Sequence, residues 1–236
     1  MQLNKLLTVV LFFTPVLVWA DIDSNCSQFT PAGAPKYVAQ PGDQELCRTN
    51  YAVIHRCSTK TPAAVFEHVT TTAVSGKATR KNNFRADTDV TANCRATLAD
   101  YAGPEYDRGH MAPAGDNTAS TEIMSQSFYL SNMVPQVPNN NRGIWRQLES
   151  QVRGYVTSSP GDFYVVSGPI YDAGYENIGN SVGVPTRLFK IIYEKKLGNT
   201  MAYLMPNGPL PVTDLPKYQT TVQAIEEATG FKFLFK

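Results

Sequence analysis

Apolar residues in this chain fall into short runs and alternations separated by turn formers, with no single repeating period. Tyr51–His55 and Ala64–Thr70 are rich in strand-forming residues, and Thr59–Pro62 between them reads as the turn of a hairpin. Residues 76 to 104 are polar and aperiodic and read as one long loop, a length that in a compact domain often serves a function. Ser127–Ser131 reads as a short strand, and Val134–Asn140, with Pro135 and Pro138, as irregular chain. Ile144, Leu148 and Val152 then share one stripe of a helix that starts near Asn140 or Asn141 and gives way at Gly154. Asp162–Ser167 reads as a buried strand stopped by Gly168 and Pro169. Leu188–Glu194 and Thr200–Met205 read as two more, joined through Gly198 and Asn199. Asp214 is the expected cap of a last helix that carries Val222 and Ile225 and ends at Gly230, with the aromatic tail Phe231–Phe235 packing back on the sheet. This irregular mixture lacks a βαβ rhythm, so it predicts an α+β fold with a central, largely antiparallel sheet and flanking helices. No glycine-rich phosphate loop follows a strand, which argues against a nucleotide-binding α/β fold.

The first 20 residues hold one charge, Lys5, an apolar run from Leu6 to Trp19 and the small Ala20, the pattern of a secretory signal peptide cleaved after Ala20. The run is broken at Pro15 and is shorter than the roughly 18 residues of a spanning helix, so a soluble, secreted protein without a membrane partner is expected. Residues 21–236 then suit one domain, whose stretch 21–48 is an irregular, cysteine-bearing segment. Cys26, Cys47, Cys57 and Cys94 in an exported chain imply two disulfides, with three connectivities open, and no Cys-x-x-Cys pair suggests zinc. Lys5 is the only charge in the leader, so the remaining chain is balanced at 20 basic and 20 acidic residues. Attraction to a polyanion must therefore be local, from Lys77, Arg80, Lys81 and Arg85 or from Arg142 and Arg146.

Of three histidines, His55 and His68 fall in strand patterns, whereas His110 lies in the turn-rich run DRGHMAPAGD, beside Arg108. A neutral imidazole can take a proton from water near neutrality, and a guanidinium fork matches phosphate oxygens. A base must be neutral to work, so activity is expected to fall as pH drops through the histidine pKa. Arg108 is either a phosphate contact or scaffold. Asn139–Asn141 either cap the helix or offer magnesium a hard amide oxygen, which leaves the ion's charge available to substrate. Glu149 lies eight residues beyond Asn141, about 80° round a helix of 3.6 residues per turn, so both can face one cleft.

The DRGHMAPAGD run, followed by YLSNMVPQ at Tyr129–Gln136, then Asn141, Trp145, Glu149, the strand Phe163–Pro169 and Val184-Pro185, closely resembles the DNA/RNA non-specific endonucleases of the ββα-metal superfamily. Secreted Serratia-type nucleases and mitochondrial endonuclease G belong to that family. The resemblance runs from about Tyr51 to the C-terminus and leaves out the segment up to Cys47, which could be a pro-segment, a stabiliser or a cover over the cleft. It implies a ββα-metal active-site motif and a secreted, magnesium-dependent endonuclease, with manganese as a substitute ion, acting on DNA and RNA with little sequence preference. It further implies His110 as general base, Asn141 as the one direct protein ligand of the metal and Glu149 as the group orienting water on it. Arg108 would contact phosphate or hold the site, and Asn132 would support the histidine and metal geometry. A further family arginine matches Arg80, with Arg85 as the alternative register. Competing readings are a metal-dependent phosphodiesterase on small nucleotides and a nucleic-acid-binding relative without catalysis. The intact set His110, Asn141 and Glu149 speaks against the last.

Overall fold

The computed structural model describes residues 24–103, 105–159 and 161–235, so the leader expected at 1–20 lies outside the described residues. In chain order the elements are β1 (Gln44–Cys47), β2 (Tyr51–Arg56), β3 (Thr61–Val69), α1 (Thr71–Val74), β4 (Asp107–His110), α2 (Thr121–Gln126), β5 (Met133–Gln136), α3 (Arg146–Ser158), β6 (Phe163–Ile170), β7 (Asn177–Ile178), β8 (Val182–Gly183), β9 (Arg187–Glu194), β10 (Asn199–Pro206), β11 (Gln219–Thr220) and α4 (Val222–Thr229). Seven of these strands form an antiparallel sheet in the order β1-β2-β3-β6-β9-β10-β11, while β4 pairs with β5 as a separate ribbon. The expected α+β fold with an antiparallel centre is the fold observed.

Alternation along β2 and β3 sends side chains to two cores, one on each face of the sheet. Tyr51, Val53 and Val65 join Met111, Val134, Ile144, Trp145, Leu148 and Val152 beneath α3 and the β4–β5 ribbon. Ala52, Ile54, Ala64 and Phe66 join Cys26, Phe29, Tyr37, Ile225, Phe231 and Phe233 on the other face. The N-terminal segment is thus packed with α4 and the aromatic tail behind the sheet, and it does not cover the ribbon. Disulfides Cys26–Cys47 and Cys57–Cys94 tie it to β1 and tie the β2–β3 hairpin to the long loop. Among the described residues no helix is long and apolar enough to cross a membrane.

Several local expectations are corrected. His110 ends strand β4 rather than sitting in a turn, because its backbone pairs with Met133 of β5. Residues 133–136 are that partner strand despite Pro135, which is tolerated because β5 has a neighbour on one side only. The strand expected at Ser127–Ser131 is instead a turn following α2 that runs into a 3-10 turn, Leu130–Asn132. Strand β6 runs through Gly168 and Pro169 to Ile170 because its pairing with β9 continues there, while its pairing with β3 has ended at Ser167, so Pro169 has a strand neighbour on one side only. Helix α3 continues past Gly154 to Ser158. Thr221, not Asp214, caps α4 by accepting from Ala224 N, and Gly230 ends it at φ 74° as expected.

Candidate active site

Strand β4 presents Asp107, Arg108 and His110 at the edge of a cleft of about 730 Å³, opposite the start of α3. Gly109 lets the ribbon close, since a Cβ there would run into the Gln136 side chain of β5. Behind His110, Trp145 Nε1 donates to its carbonyl (3.3 Å), and fully buried Asn132 pins the next residues. Asn132 Oδ1 accepts from Ala112 N (2.9 Å), and its Nδ2 donates to the carbonyls of Ala112 and Ser127 (both 2.8 Å). Asn132 therefore supports the chain that leaves the histidine strand from inside and does not line the cleft.

The His110 ring is walled by Phe84 and Phe128, with centroids at 5.5 and 5.0 Å, and its Nε2 is buried without a hydrogen-bond partner. Burial, followed by repulsion from Arg80, drives its pKa down to about 3. The imidazole is thus neutral far below pH 6.5, which moves the expected fall of activity through the histidine titration to lower pH. Glu149, on α3 and 9% exposed, is shifted the other way, to about 7. Burial dominates there, opposed by Lys190 and reinforced by Asp116.

Asn141 sits in a π-helical turn, Asn140–Trp145, that leads into α3. Its Nδ2 donates to Asp107 Oδ2 (2.8 Å), so its amide oxygen is the end left for another partner. Asp107 also accepts from Arg142 on both oxygens, at 2.8 and 2.5 Å. Partial burial opposes ionisation of Asp107, but these bonds prevail and hold its pKa below the ordinary carboxylate range. Among the described residues no trio of His, Cys, Asp or Glu converges on one point, so a cation here would rest on fewer side chains and on water. The hard oxygen of Asn141, fixed in orientation beside two carboxylates of the same cleft, fits a magnesium-type ion.

The cleft brings together five of the six expected residues, Arg80, Arg108, His110, Asn141 and Glu149, with Asn132 behind them. Arg80 lines it, stacked over Phe128 at 5.1 Å, whereas Arg85 donates to Ser125 O and lies on Tyr129, so Arg80 and not Arg85 is the arginine at the cleft. Asp107, Arg153 and the two phenylalanines were not singled out from sequence. Arg153 lies four residues beyond Glu149, hence on the same helix face, and is paired with Asp116 at 2.8 Å. Asp107 stands in the histidine motif itself.

Comparison with known proteins agrees with this geometry. Residues 30–236 match the model of the DNA/RNA non-specific endonuclease family. The chain is 38% identical to the mitochondrial nuclease EXOG of Xenopus laevis, over 78% of this chain and 56% of that protein. It is 34% identical to human mitochondrial endonuclease G, over 82% and 71%, and 34% identical to the mitochondrial nuclease of Saccharomyces cerevisiae, over 92% and 74%. The chain spans little more than half of the EXOG relatives it matches. A solved structure of EndoG with EndoGI superposes with a TM-score of 0.80 at 29% identity, covering 92% of this chain and 94% of that one. These names correct the expectation of a secreted protein, because the relatives are called mitochondrial. With a 0.80 structural match, a family model spanning residues 30–236 and the His110, Asn141 and Glu149 cleft, the chain belongs to the DNA/RNA non-specific endonuclease family.

Proposed function

We propose that the protein is a magnesium-dependent endonuclease that hydrolyses phosphodiester bonds of DNA and RNA without base preference. The observation that carries this reading is the convergence of a neutral histidine, a free amide oxygen and a buried carboxylate in one arginine-lined cleft. Asn141 would hold the ion through its amide oxygen. Once bound, the ion would offset charge on the phosphoryl and leaving oxygens. His110, neutral and with Nε2 unpartnered, takes the proton of the attacking water. Glu149 orients water, and Arg80 and Arg108 neutralise the phosphate, contacts that carry no base information. Asn132 acts through the backbone that follows His110. The names of the relatives support a mitochondrial setting.

Incubating the full chain with closed circular plasmid and with RNA tests the reading. Internal nicking of the plasmid is expected, ended by chelator and by His110→Ala. Undiminished cutting by the variant would remove the base, undiminished cutting in chelator would remove the metal, and failure to nick a closed circle would favour a small-nucleotide phosphodiesterase.

A further inference from the structure

The Arg108 side chain makes no hydrogen bond among the described residues, and its Nε is buried without a partner. An unpaired guanidinium would normally sample several rotamers, at a cost to whatever it must bind. Its Cζ instead lies 4.5 Å above the ring of Phe84. That ring is itself fixed: it meets Phe128 edge-on at 5.0 Å and 84°, and it stands 5.5 Å from the His110 ring. Phe128 is fully buried, and it meets His110 edge-on at 87°. Phe84 is half-buried, lines the cleft and comes from the long loop, which the sequence pattern left without structure.

We propose that Phe84 is a positioning residue for Arg108: it holds the guanidinium by its face, so that the N–H edge stays free for a phosphate oxygen beside His110. A cation held by a ring keeps all five donors unspent, whereas a carboxylate partner would use two of them and compete with substrate. Arg142 and Arg153 show the contrast, since both are paired with carboxylates at the same cleft. Arg108 is thereby both phosphate contact and fixed scaffold. The inference rests on the reading of Arg108 as a phosphate contact, but the ring contact itself can be tested without substrate.

The test has two arms. In the free, metal-free protein, the Arg108 δ-protons, assigned by difference against Arg108→Lys, are expected upfield from the ring current of Phe84. Ordinary shifts in the wild-type protein would overturn the contact whether or not any variant folds. In the second arm, Phe84→Leu is expected to lower kcat/KM on DNA roughly 3- to 30-fold, the range of a desolvated cation–ring contact, mainly through KM. Phe84→Tyr, which keeps the ring face, should restore it. Combined with Arg108→Ala, Phe84→Leu should add little further loss, because both remove one contact. Fully additive losses, or a fall confined to kcat, would overturn the proposal. An upfield-shifted Arg108 whose replacement leaves KM unchanged would instead sink the phosphate role and leave the ring contact standing.

Discussion

Burial penalises the charged form of any side chain, and at this cleft it pushes two titratable groups in opposite directions. His110 is driven down to about 3 and stays a neutral acceptor, while Glu149 is driven up to about 7. A carboxyl whose folded pKa lies above its unfolded value favours folding when protonated. That stability is present below the ordinary carboxyl value of 4.5 and is lost as pH rises to about 7. Glu149→Gln removes this window. In chelator, wild-type protein is expected to lose up to roughly 3 kcal/mol relative to Glu149→Gln between pH 4.5 and 7, following 1.36 kcal/mol per pKa unit. Depressed His55 and His110 lose stability in the other direction, as pH falls below 6.5, and they do so in both proteins, whereas the buried carboxyls Glu67 and Asp116, which repel Glu149, contribute to the difference together with it. Urea melts at pH 5 and pH 8 measure it, and parallel pH profiles would rule out the raised value. With magnesium present, the glutamine protein should be more stable yet cleave far more slowly.

At the level of elements, the site depends on a two-stranded ribbon whose far end is bolted by one amide. Asn132 joins the turn after α2 to the chain leaving β4, spending both ends of its side chain on backbone groups buried from water. Asn132→Ala would strand Ala112 N and two carbonyls, each costing 1 to 3 kcal/mol when unsatisfied unless water enters, so a loss of about 3 kcal/mol is expected. Because the braced Ala112 lies two residues from His110 and four from Arg108, kcat should fall more than KM. An unchanged kcat in a folded, destabilised variant would reduce Asn132 to a purely structural part. The same ribbon marks the limit of what sequence could tell. β2, β3, β9 and β10 were legible because each carries a run of β-branched, aromatic and aliphatic residues long enough to read as a strand. β4 and β5 were not, since four-residue strands carrying Gly109 and Pro135 look like turns, and only pairing between residues some 25 positions apart makes them strands. The site residues were legible as a spaced motif. Phe84 and Phe128 were not, because aromatic residues in a polar loop and at a helix end look alike whether they pack a core or hold an arginine.

The whole chain carries a formal charge of only +1, so the molecule as a body does not attract nucleic acid, and its affinity must come from the cleft. Five arginines line that cleft, but Arg142 is spent on Asp107 and Arg153 on Asp116, which leaves Arg80, Arg108 and Arg146 free of carboxylate partners among the described residues. The N-terminal segment and the aromatic tail are packed on the far face of the sheet and add nothing to this field. Each phosphate neutralised releases counterions and contributes about −0.9 to the slope of log affinity against log salt on duplex DNA, so three free guanidiniums predict a slope of roughly −3. Binding of a labelled duplex to His110→Ala in chelator, followed by anisotropy from low to moderate salt, gives that slope. Arg146→Ala should make it shallower by about one. Lys196→Ala, in the exposed turn between β9 and β10, should leave it unchanged, although both changes remove one positive charge from the same nearly neutral chain. Equal effects from the two would mean that net charge governs binding. A difference confined to Arg146 means that the fold, by spending two arginines on carboxylates and leaving three bare, has set how many phosphates the cleft can hold.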